Sequence, residues 1–376
     1  MSYRLSGTWL VAGILLIAIG TCAMGQSPKL KPPTKRSVVS PWDVEAREYF
    51  GTAESEAAVD HGLAYLAANQ LPDGHWASGG YRGDVGITGL CLLSFLASGH
   101  QPGRGKYGLV LNQAVDFLAN SVQMSGAIGT TGLVYNSGGQ SGPPMYGHGF
   151  ATLALAEVYG MTHRRDLKPR IEAAIKLIED CQNQDGLPQR DGGWRYRPAP
   201  GEADISVTVV QVLALRAARN AGLNVPQSTI DRAIAYMRRC SNPNDGGFLY
   251  QVRQGASGPA RTGAGVLSLM MAGLRDSPEC QSGLKYLKAH PLDSRNEWPY
   301  REHYYYALYY VTQAMYQAGG DYWKTWYNNV RDLLVRNQSA DGDWGIRDSE
   351  AGLPYATAMA VLVLQVPAGL LPIYQK

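Results

Sequence analysis

The sequence has few of the features that mark nucleic-acid-binding or metal-binding proteins. Its formal net charge is only +3 over 376 residues, and no basic block interleaved with aromatic residues occurs in the body of the chain. A nucleic acid is therefore not an expected partner. The five cysteines include no CxxC pair and the seven histidines no His-x-x-x-His, so their spacing gives no metal signature. We expect neither a metal ion nor another cofactor.

The N-terminal apolar run is too short for a typical transmembrane helix. It extends from Thr8 to Gly20, follows the positive Arg4, and precedes a small-x-small cleavage site at residues 23–25. Residues 1–25 therefore predict a signal peptide and an exported protein, periplasmic or extracellular. The residues around Cys22 loosely resemble a lipoprotein box, so a form anchored by a lipid on Cys22 is the alternative.

Residues 26–45 are rich in proline and lysine and cannot bury much apolar surface. They predict a solvated, flexible tether before a folded region that covers residues 46–376. Contact with a membrane is expected only through this N-terminal part.

The folded region contains six copies of one unit. The first and last copies, "YLAANQLPDGHW" at 65–76 and "LLVRNQSADGDW" at 333–344, match position for position. Weaker or degenerate copies begin at Phe117, Leu177, Tyr236 and Tyr286. Such self-similarity at a period of tens of residues is typical of repeat architectures.

Each unit contains an amphipathic helix, a turn that often carries Asp-Gly, and a second helix that is apolar nearly all round. The first kind of helix has one buried face, and the second must be buried on most faces. Six such pairs predict an all-α fold, a double-walled α/α toroid or (α/α)6 barrel of six helical hairpins. An open superhelical solenoid is the alternative.

The glutamine and tryptophan of these copies resemble the QW motif of squalene-hopene and oxidosqualene cyclases, whose toroid is shared by protein prenyltransferase β subunits. The resemblance covers about residues 55–366. It implies that these side chains fasten each outer helix to the next inner helix and have no chemical role. The positions concerned are Gln70, Trp76, Gln182, Trp194, Gln338 and Trp344.

The resemblance to squalene-hopene cyclases also implies an acidic Asp-x-Asp-Asp-Thr segment at the start of an inner helix. Alignment places Asp204 and Thr208 on its first and last positions, but Ser206 replaces the proton donor and Val207 the last Asp. A serine hydroxyl is too weak an acid to protonate an alkene. Ordinary squalene-type cyclisation is therefore not expected at this segment, although an acid from elsewhere stays open.

Protein prenyltransferases carry a zinc site made of Asp, a Cys two residues later and a distant His. His303 matches the position of the His, but no Asp-x-Cys occurs in this sequence. Zinc-dependent thiol prenylation is therefore not expected.

Four polar residues near the starts of inner helices are the candidate catalytic residues: Asp84, His148, Asp204 and His303. Aspartate is a favoured N-cap, so capping is the first interpretation of Asp84 and Asp204. His148 and His303 fall in opposite units of a closed ring, too far apart to share one metal ion. The first interpretation of both histidines is a polar rim.

The fifth inner helix and the long loops supply candidate ligand-binding residues. Tyr305, Tyr309 and Tyr316 share one helical face and could stack on a ligand or stabilise a cation. Bulky packing is the alternative for these tyrosines. Arg253 and Arg261 lie in the long loop from Tyr250 to Thr262 and could contact an anionic group.

Three functions remain open from the sequence. The first is a toroid that binds an apolar or extended ligand, such as an isoprenoid, in its centre. The second is an isoprenoid cyclase or transferase with a non-standard acid. The third is a polysaccharide-acting α/α-barrel enzyme, although no carboxylate pair stands out for glycoside hydrolysis. The sequence predicts no oligomeric state.

Overall fold

The computed structural model describes residues 50–77, 83–126, 130–136, 143–162, 164–292, 303–345 and 351–375. The predicted signal peptide, the tether and Cys22 lie outside these ranges. Among the described residues, no helix combines the length and apolarity that crossing a bilayer requires.

The described residues form twelve α-helices and three short 3-10 turns, with no β-strand longer than an isolated bridge. Helices alternate between an outer and an inner layer. The outer helices are α1 (Ala53–Ala68), α3 (Gly108–Asn120), α5 (Lys168–Asp180), α7 (Gln227–Arg239), α9 (Pro278–Ala289) and α11 (Gly320–Asn337). The inner helices are α2 (Val85–Ala97), α4 (Pro144–Met161), α6 (Ile205–Asn220), α8 (Pro259–Met271), α10 (Tyr304–Ala318) and α12 (Gly352–Gln365).

The apolar pattern of each helix decides its layer. Every residue of α2 is buried, because the helix has no polar face to turn toward solvent. By contrast, α7 buries one stripe that includes Ala233, Ile234 and Met237, and it exposes its charged face. The layers therefore follow from the difference between one-sided and all-round hydrophobicity.

The ring is closed. Each inner helix packs against the next, and α12 packs against α2, while α11 packs against α1 in the outer layer. The prediction of an α/α toroid is confirmed, and the open solenoid is not what the chain forms.

Glutamine side chains join neighbouring outer helices at the turns, which corrects the expectation that they fasten an outer helix to the next inner helix. In each case the amide donates one hydrogen bond within its own turn and a second to a carbonyl of the next outer helix. The acceptors are Gly74 and Val110 for Gln70, Gly192 and Thr229 for Gln182, and Gly342 and Ala58 for Gln338, all at 2.8–2.9 Å. The bond from Gln338 to Ala58 links the last unit to the first.

Tryptophan side chains close the same turns from inside. The indole N–H donates to a carbonyl near the end of the preceding outer helix, at 2.7–2.8 Å. The pairs are Trp76 with Leu66, Trp194 with Ile178, and Trp344 with Leu334. All three tryptophans are fully buried, so each fills the space between layers while its one polar group is satisfied.

At some turns the backbone lies so close to the next outer helix that only glycine fits. Gly342 has φ +94°, and a Cβ there would lie 2.6 Å from the carbonyl oxygen of His61 in α1. Only glycine adopts this conformation and permits this approach without strain.

The C-terminal segment covers the side of the ring where α4 and α10 end. Its turn Pro372–Tyr374 packs against α6, and the Tyr374 carbonyl accepts a hydrogen bond from Gln317 at the end of α10. Glu157, near the end of α4, is buried beside this turn, and burial raises its pKa to about 8. Its carboxyl is therefore protonated at neutral pH.

Replacing Gln338 with Ala should destabilise the protein by about 1–3 kcal/mol. The reason is that the backbone carbonyls of Ala58 and Gly342 lose their hydrogen-bond donor. Chemical denaturation measures this loss. Gln184→Ala, at an exposed glutamine of a comparable turn, is the matched control and should change stability little. Equal effects of the two substitutions would contradict a closing role for Gln338.

Candidate functional site

The N-terminal ends of all six inner helices surround a central cavity of about 480 Å³. The third residue of the helix lines this cavity in four of them: Ile87 in α2, Tyr146 in α4, Arg261 in α8 and Tyr306 in α10. The first, second, fourth and fifth units thus present the same helical position to the centre.

One side of the cavity is apolar. Ile87 and Leu90 of α2 and Phe150 of α4 form it, and Leu90 and Phe150 lie about one helical turn farther from the helix starts. The deeper part of this wall is therefore hydrocarbon.

The other side carries hydroxyl groups. Tyr196 and Tyr250, from the turns before α6 and α8, line the cavity together with Ser206. The hydroxyls of Tyr196 and Tyr250 hydrogen-bond each other. The Tyr306 hydroxyl lies 3.4 Å from the Ser206 carbonyl oxygen.

A buried ion pair holds these tyrosines. Asp204 is the N-cap of α6, and its Oδ1 accepts a 2.8 Å hydrogen bond from the Val207 amide. Its Oδ2 lies 3.3 Å from Arg195 Nη1 and accepts a 3.4 Å hydrogen bond from the Tyr250 hydroxyl. The Arg195 guanidinium in turn lies over the rings of Tyr196 and Tyr250, 4.4 and 5.3 Å from their centroids. Asp204 thus positions cavity-lining groups from behind the wall.

Burial dominates the electrostatics of Asp204. The side chain has no exposed surface, and burial raises its pKa to about 6 although the Val207 amide and Arg195 act in the opposite direction. The ion pair therefore offsets only part of the desolvation of the carboxylate.

Asp84 occupies the same N-cap position in the first unit but lines the cavity itself. Its Oδ1 accepts hydrogen bonds from the amides of Gly86 at 2.7 Å and Ile87 at 3.0 Å. Burial raises the pKa of this carboxyl. Asp84 and Asp204 are thus both helix caps, and their second oxygens have different surroundings.

The two positions aligned with the cyclase proton donor and with the last Asp of its segment hold no acid. Ser206 contributes to the cavity wall, whereas Val207 is fully buried and does not. Asp84 is the cavity-lining carboxyl among the described residues.

The two candidate histidines lie in different environments. His303 is exposed, has φ +55°, immediately precedes α10 and lines the cavity. His148 is fully buried inside α4, and its Nδ1 accepts a 3.1 Å hydrogen bond from the Val134 amide. Burial lowers its pKa to about 4, so His148 is neutral at pH 7.

The position of His148 corrects the expectation that it stands at a helix start and on a polar rim. In other units a threonine accepts the equivalent amide bond: Thr88 from Trp76, and Thr208 from Trp194. His148 therefore replaces the threonine one turn into the helix and not the capping aspartate. Its ring closes the turn of the second unit and lies outside the cavity.

The tyrosine stripe of α10 faces away from the cavity. Tyr305, Tyr309 and Tyr316 are at most 3% exposed, and none of them lines it. Tyr316, for example, packs edge-on against Trp323 of α11 with ring centroids 5.1 Å apart. The helix presents Tyr306 to the centre instead, so the expected ligand face was assigned to the wrong side of α10.

The two candidate arginines also separate. Arg261 lines the cavity, whereas Arg253 is exposed in a turn with φ +61° and does not reach it. Within the described ranges, no three His, Cys, Asp or Glu side chains converge as a metal site requires.

Comparisons with known proteins support the fold. No protein-family model matches the sequence, and no curated protein matches it. Solved structures do match. An inactive variant of the α-1,6-mannanase GH76A of Salegentibacter sp. HEL1_6, in complex with α-1,6-mannotriose, has a TM-score of 0.61 at 8% identity. The match covers 84% of this chain and 99% of that one.

A second similar structure is a single-substitution variant of the type II terpene cyclase MstE from Scytonema in complex with the product merosterolic acid A. Its TM-score is 0.56 at 15% identity, over 85% of this chain and 98% of that one. A protein from Actinoplanes has a TM-score of 0.54 at 16% identity, over 84% and 99% of the two chains. At these identities the similarity establishes the α/α toroid, and function has to be argued from the site.

Replacing Asp204 with Asn should remove a pH dependence of stability. Because the pKa is about 6 in the folded protein and 3.8 in the reference state, folding favours the protonated form. The resulting stabilisation is present below about pH 4 and is lost as pH rises through about 6, by up to about 3 kcal/mol. In unfolding experiments over this range, the Asn variant should become more stable relative to wild type as pH rises. A constant difference would contradict the buried-carboxyl account.

Proposed function

We propose that this protein binds a small molecule with an apolar body and a polar end in its central cavity. We infer in addition that residues 1–25 direct its export, so that the ligand is met outside the cytoplasm. The observation that carries the binding proposal is the division of the cavity into a hydrocarbon side and a hydroxyl side.

The size and walls of the cavity support this class of ligand. A volume of about 480 Å³ lies in the range of small-molecule sites, which are mostly apolar with a few polar groups that fix orientation. Leu90 and Phe150 would bury the apolar body, and Tyr196 and Tyr250 would hydrogen-bond the polar end. An isoprenoid with one oxygen function fits this division better than a pure hydrocarbon, because its oxygen can hydrogen-bond the hydroxyl side of the cavity.

Squalene-type cyclisation is not part of the proposal. That reaction requires a strong acid to protonate an alkene, and Ser206 and Val207 stand where the cyclase segment carries carboxylic acids. An oxygen-containing ligand can be bound without this chemistry.

A glycan is the second candidate, because tyrosine rings and hydroxyls together suit sugar stacking and hydrogen bonding. The similar mannanase structure holds α-1,6-mannotriose. Glycoside hydrolysis, however, ordinarily uses two carboxyl groups that flank the scissile bond. Asp84 is the carboxyl that supports this candidate from the described cavity wall, and a partner carboxyl has not been identified there.

Titration of the purified protein with geranylgeraniol, squalene and α-1,6-mannotriose, followed by tryptophan fluorescence, tests the proposal. We expect geranylgeraniol to bind most tightly. Ala260→Phe should weaken its binding at least about tenfold, because Ala260 lines the cavity and the larger side chain fills it.

Ala57→Phe is the matched control, since Ala57 is exposed on α1 and the substitution should leave binding unchanged. Tight binding of mannotriose alone would favour the glycan candidate. Binding of geranylgeraniol that Ala260→Phe does not alter would contradict the location of the site.

A further inference from the structure

A chain of hydrogen bonds leads from a buried carboxyl group to the hydroxyl side of the cavity. Asp204 Oδ2 accepts a hydrogen bond from the Tyr250 hydroxyl, and the hydroxyls of Tyr250 and Tyr196 hydrogen-bond each other. Asp204 has no exposed surface, whereas Tyr196 and Tyr250 both line the cavity. Asp204 therefore acts on a ligand through these two hydroxyl groups.

The other contacts of Asp204 favour its ionised form. Arg195 Nη1 lies 3.3 Å from Oδ2, and the Val207 amide donates a 2.8 Å hydrogen bond to Oδ1. A nearby cation and a donated hydrogen bond both stabilise a carboxylate. An ionised carboxylate has no hydrogen to donate, so each of its hydrogen bonds uses a hydrogen of the partner. The hydrogen between Asp204 and Tyr250 is therefore that of the Tyr250 hydroxyl.

This carboxylate sets the direction of the whole chain. A tyrosine hydroxyl has a single hydrogen to donate. Tyr250 uses its hydrogen on Asp204, so the hydrogen between the two tyrosines is that of Tyr196. The opposite direction would turn a lone pair of Tyr250 toward the carboxylate oxygen 3.4 Å away, which electrostatic repulsion disfavours. Tyr196 thus offers a ligand oxygen lone pairs and no hydrogen.

Tyr306, which also lines the cavity, has the same polarity. Its hydroxyl donates to the Ser206 carbonyl oxygen at 3.4 Å, and a carbonyl oxygen can only accept. The single hydrogen of Tyr306 is therefore directed into the wall. Hydroxyls on two different elements of this wall are acceptors toward the cavity.

We propose that the Asp204 carboxylate makes Tyr196 a hydrogen-bond acceptor, so that the cavity selects ligands whose polar end donates a hydrogen bond. This inference rests on the proposed binding function and narrows the ligand to an apolar molecule that ends in a hydroxyl group or another donor. An aldehyde or ether of the same chain has no hydrogen for Tyr196 and loses this bond. Asp204 is a positioning residue, because it acts through Tyr250 and Tyr196.

The affinities of geranylgeraniol and of the corresponding aldehyde, geranylgeranial, test the inference at about pH 8. The two probes share one carbon chain, but the aldehyde oxygen only accepts hydrogen bonds. At this pH the carboxyl group of Asp204, whose pKa is about 6, is ionised. Wild type should bind the alcohol about tenfold more tightly than the aldehyde, which is the effect of one hydrogen bond.

Asp204→Asn reverses the chain with little change of shape. Its carbonyl oxygen keeps the bond from Val207, and its NH2 group donates to Tyr250. Tyr250 then donates to Tyr196 and Tyr196 to the ligand, so the aldehyde should gain about tenfold in affinity and the preference for the alcohol should disappear. Tyr250→Phe frees the Tyr196 hydrogen and should also remove the preference. Asp60→Asn, at an exposed position of α1, is the matched control and should keep it.

Circular dichroism and thermal unfolding show whether each variant is folded, and Tyr250→Phe retains the helix cap if Asp204→Asn unfolds. If wild type binds the two probes equally, or if the folded variants keep its preference, the role of Asp204 is wrong and the binding function stands. Loss of the preference in Asp84→Asn but not in Asp204→Asn would place the ligand hydroxyl on Asp84 and overturn the inference. If wild type binds neither probe, the binding function itself is wrong.

Discussion

The hydrogen bonds from turn glutamines to the next outer helix are the interaction on which the rest of the structure depends. Each of them links one hairpin to a specific carbonyl of the next hairpin. The bond from Gln338 to Ala58 makes the same link between the last and first hairpins. Because these bonds set one register in the first, third and sixth units, the starts of the inner helices meet at one end of the ring. The cavity is the space that this common register leaves between them.

The fold was predictable because the periodicity of apolar side chains determines whether each helix is internal or external. A helix such as α2, apolar all round, has to be internal, and a striped helix such as α7 has to be external. Repetition of the turn residues then fixed six hairpins. The sequence could not distinguish a toroid from a solenoid. That distinction came from the structure, in which the last inner helix, α12, packs against the first, α2.

The site was harder to predict for the same reason. A helix without a polar face gives no signal of its rotation, so the sequence of α10 does not reveal that Tyr306 faces the cavity and Tyr309 does not. The third-residue register shared by Ile87, Tyr146 and Arg261 would have identified Tyr306, but it needs accurate helix starts. The predicted position of His148 was wrong for that reason. Helix α4 begins at Pro144, so His148 lies where other units have threonine.

Two buried capping carboxyls, whose desolvation is only partly offset by hydrogen bonds and charges, shape the chemistry of the cavity. The same capping position produces a paired carboxyl in Asp204 and a cavity-facing one in Asp84, and this difference depends on the position of Arg195 in three dimensions. Opposite the hydroxyl-lined wall, Leu90 and Phe150 supply hydrocarbon. A cavity with these two sides is suited to holding a ligand in one orientation.

Native mass spectrometry of the protein purified without detergent, followed by extraction with organic solvent, shows whether the cavity holds a ligand. We expect a bound apolar molecule with an oxygen function that the solvent releases. A protein that carries a glycan, or that has only its own mass and gains none on incubation with isoprenoid alcohols, would show that the cavity does not bind this class of ligand.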